Sequence, residues 1–399
     1  MPSATEVDVR RIHHALADAR GRLAHADDAV MRTQVAVSEI PAPTGDEGAR
    51  GRWVAGRFAR LALHDVRADA AGNIIARRPG VADAAPVVVC AHLDTVFPRE
   101  TSLRFTREGT RYSGPGIGDN GRGLAALLAL AAELDGSRLR TRRPVLFVAT
   151  TGEEGAGDLR GAKHLFNHDA RGAAAAIALD GAGDDRIVHR ALGARRLRVR
   201  FHGTGGHSWA AYGIANPVHA AACASAALAR IAIPAAPRTT LSVNRIGGGL
   251  SVNSIADEAW MEVDIRSTSP MMLDRLAAEV RAAARAAENE ENARRTRGTA
   301  PLAHTVDLIG DRPCGETPQQ EPLVQAAIAA TRLADRAPEL ALASTDANVP
   351  ISLGVPAIAI GAGGRGGDAH TPAEWFDNVD GPVGLGRALA IVVAAAGLP

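Results

Sequence analysis

Residues 86–98 read PVVVCAHLDTVFP. Val87, Val88 and Val89 are a β-branched apolar run, suited to a strand buried on both faces of a sheet. The run ends at His92-Leu93-Asp94. Side chains two apart on an extended chain point the same way, so an imidazole and a carboxylate are presented together. A neutral imidazole can bind a metal while a nearby carboxylate fixes its tautomer. Further groups of the same kind follow: Asp119 in a glycine-dense turn, the pair Glu153-Glu154, Asp180, and His370 behind a glycine-rich run that starts at Gly361. Each has an ordinary use. Asp119 could cap the helix after it. Glu153 and Glu154 could be a solvated turn, and Asp180 before Gly181 could be turn chemistry. His370 could be one more surface histidine, the default for His13, His14, His164, His168 and His189. The joint pattern, imidazoles and carboxylates recurring around glycine turns in an apolar scaffold, points to metal chemistry instead.

The elements that must position these groups alternate in type. Residues 144–150 (PVLFVAT) and 174–179 (AAAIAL) are further apolar strands; they end at Gly152-Glu153-Glu154 and at Asp180. In open α/β sheets ligands bind at that C-terminal edge. Helices are expected over 7–38, with a break near 25–28, and over 47–63, 124–134, 321–334 and 379–396. A short strand is expected over 73–77, a hairpin or extended segment over 100–114, and a strand over 355–360. The turn GPGIGDNG from Gly114 has neither a Lys-Ser/Thr ending nor a spaced GxGxxG, which excludes a nucleotide cradle. From Gly193 the pattern changes to apolar residues alternating with charged ones, a strand with one wet face. Strands over 197–201, 239–246, 258–266 and 304–309, with helices over 216–231 and 271–294, give the order β-α-β-β-α-β of a ferredoxin-like unit. Arg266 shares the polar face of its strand with Glu262 and Asp264, either as part of an ion-paired wet face or as a guanidinium fork for a carboxylate.

A chain of 399 residues with 46% hydrophobic and 22% charged residues is globular and long enough for two domains. The net charge of +1 carries no nucleic-acid footprint. Positive charge is almost all arginine, with Lys163 the one lysine. Cys90, Cys223 and Cys314 lack CxxC spacing, which argues against a disulfide framework and a thiolate zinc site. The first twenty residues lack the apolar core of a signal peptide, and no run reaches the roughly 18 apolar residues of a membrane span. A cytoplasmic protein without membrane or nucleic-acid partners is expected.

HLDTV at 92–96, GIGDNGRG at 116–123, TTGEEG at 150–155, the Asp after AAAIAL and AHTPAEW at 369–375 together resemble metallopeptidase family M20. The likeness spans nearly the whole chain. It implies a three-layer α/β zinc-peptidase catalytic domain over 1–192 and 313–399, with an inserted ferredoxin-like α+β lid domain over 193–312 that also makes a homodimer. It implies two divalent ions, zinc or else cobalt or manganese. His92 and Asp180 would hold one, His370 and Glu154 the other, and Asp119 would bridge both. Glu153 would be the general base that activates a metal-bridged hydroxide, and Asp94 would orient His92. In the insert, GGHS resembles the family's lid histidine, His207, for the oxyanion, against the plainer reading of a loop histidine. Asn253 and Arg266 would hold the substrate. Asp180 rather than Glu, the STDAN stretch at 344–348 and the glycine-rich loop before His370 resemble peptidase T-type members, which implies a di- or tripeptidase of aminopeptidase type. The alternatives are an N-acyl-amino-acid deacylase of the acetylornithine or succinyl-diaminopimelate type, and a non-catalytic small-molecule binding protein on the same scaffold.

Overall fold

Four apolar strands, Val145–Thr150, Val87–His92, Ala175–Leu179 and Ala357–Ile360, lie side by side and parallel. A computed structural model describes them within residues 4–136 and 139–399. Along Val87–His92 every residue is buried. Val87, Val89 and Ala91 pack into one core, whereas Val88 and Cys90 pack into another on the opposite face. Helices therefore cover both sides, and the sheet is the middle of three layers. On the first face lie Gly121–Gly136, Pro322–Leu333, Gly381–Ala396 and the N-terminal helices; on the second lie Arg160–Asn167 and Asn348–Ser352.

The sheet is wider than the sequence indicates. Ile74–Arg78 pairs antiparallel to Val145–Thr150 and carries an outer strand, His64–Ala68. At the other edge Arg186–Ala191 pairs antiparallel to Ala357–Ile360 and parallel to Glu339–Ala343. The expected helix over 7–38 is three helices, Ala4–Ala15, Ala17–His25 and Asp27–Ser38, broken at Leu16 as well as at Ala26. The helix expected over 47–63 ends at Phe58: Arg60 and Leu61 N–H donate to carbonyls three residues back, at 3.3 and 3.0 Å, and Ala62 N–H then donates to Asp135 Oδ2 at 3.1 Å. The segment after Glu100 forms the hairpin Thr106–Glu108 and Arg111–Ser113, which joins Trp375–Asp377 and Arg365–Gly367 in a small second sheet.

The chain divides into two compact units, Met1–Ala191 with Glu316–Pro399, and Leu192–Gly315. The second holds a four-stranded antiparallel sheet in the order Thr239–Gly248, Glu258–Ser267, Gly193–His202, Ala303–Arg312. Its two helices begin with Asn-Pro and Ser-Pro. Asn216 Oδ1 accepts from Val218 N–H and Ser269 Oγ from Met272 N–H, and a proline follows each cap. Ala259, Met261, Val263 and Ile265 alternate into the core beneath these helices. The opposite face is a charge ladder: Arg198 and Arg245 on Glu262, Arg196 and Arg266 on Asp264. Among the described residues, no helix is long and apolar enough to cross a membrane.

Candidate metal centre

Seven of the residues singled out in the sequence meet at the C-terminal edge of the parallel strands. His92 ends its strand, Glu153 and Glu154 follow Thr150, and Asp180 follows Leu179. Among the described residues, four groups bring one ligand atom from each member within 4.8 Å of one another; three are here, His92, Asp119 and Asp180; Asp119, Glu154 and His370; and His92, Glu153 and Glu154, and the fourth is Asp69, His164 and Asp169. Asp119 stands between the two imidazoles. Its Oδ1 is 2.9 Å from His92 Nε2 and its Oδ2 is 3.1 Å from His370 Nε2. Glu154 Oε1 backs His370 Nε2 at 2.8 Å, and Asp180 Oδ1 is 3.9 Å from His92 Nε2.

His92 Nδ1 donates to the backbone carbonyl of Asp94 at 3.0 Å, which leaves Nε2 to face Asp119 and, on losing its proton, to offer its lone pair to a metal. The sequence gives that task to the Asp94 carboxylate, which stands farther off, 3.6 Å from Nδ1. That carboxylate is occupied elsewhere. Oδ1 accepts Glu153 N–H at 3.0 Å, and Oδ2 accepts Glu154 N–H at 2.9 Å and the Thr44 hydroxyl at 2.8 Å. Asp94 thus orients the glutamate pair more directly than it orients the imidazole. Burial pushes its pKa up, but His92 and the two amides outweigh burial and hold it at about 2.

The electrostatics show more negative charge than the imidazoles can balance. Burial, then the neighbouring Asp119 and Glu154 carboxylates, push Asp180 up to about 7, although His92 opposes this. Burial raises Glu154 as well. Asp119, paired with both imidazoles, is held well below the usual carboxylate range despite its burial. His370 is raised to about 9, first by Asp119 and then by Glu154 against burial. Five carboxylates around two imidazoles, all oxygen and nitrogen donors, are a set that suits divalent zinc, cobalt or manganese. A cation would relieve the repulsion that Asp180 records.

The turns that aim these donors are held by residues the sequence does not flag. Glu47 Oε1 accepts Gly152 N–H at 3.1 Å, and its Oε2 accepts from Arg160 at 2.6 Å, which pins the turn before Glu153. Asn120 Oδ1 accepts Gly123 and Gly181 N–H at 3.0 and 3.1 Å, tying the Asp119 turn to Asp180. Glu374 accepts three backbone N–H groups of the Asp119 turn. Asn120 and Glu374 lie inside GIGDNGRG and AHTPAEW, where position within the motif is the only signal. Glu47 acts across 105 residues and carries none. His370 itself has φ +66°, a left-handed conformation uncommon outside glycine. His189 corrects the surface-histidine expectation: it is buried, with Nδ1 donating to the Thr317 carbonyl at 2.8 Å.

In the Leu192–Gly315 unit, His207 and Asn253 are neighbours. The two-residue strand Gly206–His207 pairs with Ser254–Ile255, and Ser208 N–H donates to the Asn253 carbonyl at 3.0 Å. His207 is exposed, and its Nδ1 accepts from Trp209 and Ala210 N–H at 3.2 and 3.4 Å. The proton therefore sits on Nε2, which makes that atom a donor. Arg266 lies within the charge ladder, its Nε donating to Asp264 Oδ2 at 2.8 Å.

Solved structures share this fold at low identity. Aminopeptidase PepT from Bacillus cereus ATCC 10987 is 20% identical with a TM-score of 0.73, covering 92% of this chain and 98% of that one. A tripeptidase from Staphylococcus aureus subsp. aureus mu50 is 22% identical with a TM-score of 0.74, over 92% and 98%. The YxeP protein of Bacillus subtilis, described as a dinuclear metal binding peptidase from M20 family, is 16% identical with a TM-score of 0.66, over 92% and 98%. No curated protein matches the chain by sequence. A model of peptidase family M20/M25/M40 matches residues 88–394, most of the chain, and the protein belongs to that family of hydrolytic enzymes.

Proposed function

We propose that the protein is a two-metal hydrolase that cleaves amide bonds of small peptides, as a di- or tripeptidase of aminopeptidase type. The observation that carries this reading is Asp119, whose two carboxylate oxygens each face a different imidazole. His92, Asp119 and Asp180 would hold one ion, and Asp119, Glu154 and His370 the other. Bound there, such a pair polarises a carbonyl and lowers the pKa of water toward about 7. The Glu153 carboxylate, 6% exposed, takes the proton of the attacking water and returns it to the nitrogen of the leaving amine. Asp94 keeps Glu153 and Glu154 apart in their two tasks, because each of its oxygens holds one of their amides. Substrate recognition by the Leu192–Gly315 unit is assigned to His207, with Nε2–H for the developing oxyanion, and to Asn253 and Arg266 for the substrate carboxylate or carbonyl.

The test is a panel of dipeptides, tripeptides and N-acyl amino acids, run with metal-analysed protein and with Glu153→Ala. Zinc near two per chain, cleavage of the peptides, loss of activity in chelator, and a Glu153→Ala variant that keeps metal but loses about 10²–10⁴-fold in kcat support the reading. Cleavage confined to N-acetyl or N-succinyl substrates makes the protein a deacylase. Metal-loaded protein without turnover on any of them makes it a binding protein.

A further inference from the structure

Asp119 can serve two imidazoles only if the plane of its carboxylate is fixed. Its backbone belongs to a turn with a glycine on either side of Ile117, and such a turn has little stiffness of its own. Gly116 sits at φ +72°, where other residues are strained. The stiffness comes from Glu374, whose side chain is 1% exposed. Its Oε2 accepts Gly116 N–H at 2.8 Å, and its Oε1 accepts Gly118 N–H at 2.8 Å and Asp119 N–H at 2.7 Å. Its own carbonyl accepts Gly114 N–H at 2.7 Å. A Cβ on Gly118 would lie 3.1 Å from Oε1, tighter than an ordinary contact, so a larger residue there would push the carboxylate back by a few tenths of an ångström. Successive backbone N–H groups converging on one carboxylate form an anion nest, which works against the burial that pushes this carboxyl up to about 7.

Glu374 also belongs to the segment that carries His370. Its N–H donates to the Thr371 carbonyl at 3.1 Å, and the strand after it, Trp375–Asp377, pairs with Arg111–Ser113, which leads into the Asp119 turn. One carboxylate therefore joins two segments whose donors, Asp119 and His370, are 251 residues apart in sequence. We propose that Glu374 is a positioning residue that sets the aim of Asp119 and its spacing to His370, and so governs how tightly the Asp119–Glu154–His370 group holds its ion. This rests on the two-metal reading above. Gln at 374 keeps the shape and one acceptor oxygen but sets an amide NH₂ against a turn N–H. Ala removes all three acceptors.

The experiment compares wild type, Glu374→Gln and Glu374→Ala after chelation. It reads stepwise zinc affinity, the visible spectrum of the cobalt(II) form, and kcat and KM on a tripeptide. The expected result for Glu374→Gln is a first ion bound as in wild type, a second bound about 10–100-fold more weakly, an altered cobalt spectrum, and a fall in kcat with little change in KM. Glu374→Ala is expected to show the same changes, larger. Folded Glu374→Gln with wild-type second-ion affinity, cobalt spectrum and kcat overturns the inference, as does a drop in thermal stability as its sole effect. If Glu374→Ala does not fold, Glu374→Gln decides. A wild type that takes up fewer than two ions overturns the two-metal reading and this inference together; two ions bound equally by wild type and Glu374→Gln overturn this inference alone.

Discussion

His92 and His370 do the same chemistry on paper and are held in opposite ways. The His92 side chain is 3% exposed, ends a strand with a parallel neighbour on each side, and has Nδ1 committed to a carbonyl. The His370 side chain is 52% exposed, lies in a turn with left-handed backbone, and faces Asp119 and Glu154 through one nitrogen. One half of the centre is part of the core of the sheet. The other is carried on the loop that the chain adds last. If each imidazole holds an ion, as proposed, the contrast predicts that the ion beside His92 is retained more firmly than the one beside His370.

The sharpest way to break that contrast is to remove each imidazole in turn. His92→Ala is expected to lose the buried ion and to disturb the shared Asp119, with activity down by more than about 100-fold and metal well below two per chain. His370→Ala is expected to keep one ion per chain and lose the other. Equal metal loss in the two variants would abolish the distinction. Asp94→Asn comes next. It swaps a charged acceptor of two amides for a half-acceptor, so kcat is expected to fall by about 10–100-fold while both ions stay. Loss of metal from Asp94→Asn would instead return Asp94 to the role of orienting His92.

The smallest effect concerns the metal-free protein and pH. His370 is raised to about 9 by Asp119 and Glu154, and His92 is also raised well above its ordinary value. A histidine whose folded pKa lies above its unfolded pKa of about 6.5 stabilises fully below that value, and the contribution fades as pH rises through the folded pKa. Asp180, raised to about 7, adds a cost that grows as pH rises from its unfolded pKa of about 3.9 to about 7 and is constant above that. The melting temperature of metal-free protein is therefore expected to decline between about pH 6.5 and 9, and saturating zinc is expected to flatten that slope. A metal-free melting temperature that rises over this range would show the imidazoles unpaired.

The sequence reveals the parallel strands well because each is an apolar run, and three of the four lead directly or within a short turn to a ligating residue type. The insert is visible through its alternation, which the Glu258–Ser267 strand follows residue by residue. What escapes notice has no local signal. The outer strand His64–Ala68, HDVRA, is largely exposed and looks like a loop. Arg186–Ala191 is an apolar core flanked by arginines, and its place depends on pairing with Ala357–Ile360 far along the chain. The supporting carboxylates Glu47 and Glu374 resemble surface residues until the backbone amides they accept are known. Arg266 shows the limit from the other side: its face of charged residues is legible, but its neighbour Asp264 already occupies its Nε.

The strand Ala357–Ile360 lies between Ala175–Leu179 and Arg186–Ala191, although it is made nearly two hundred residues later. Chains are synthesised from the N-terminus, and early segments fold first. Until the last tenth or so of the chain is made, the sheet lacks the strand between Ala175–Leu179 and Arg186–Ala191, and His370 has not yet been polymerised. A nascent chain that ends before that strand has His92, Glu154 and Asp180, but neither His370 nor the Glu374 carboxylate that holds the Asp119 turn. Competence thus arrives with the final stretch of translation, and a chain truncated before that strand is left without it.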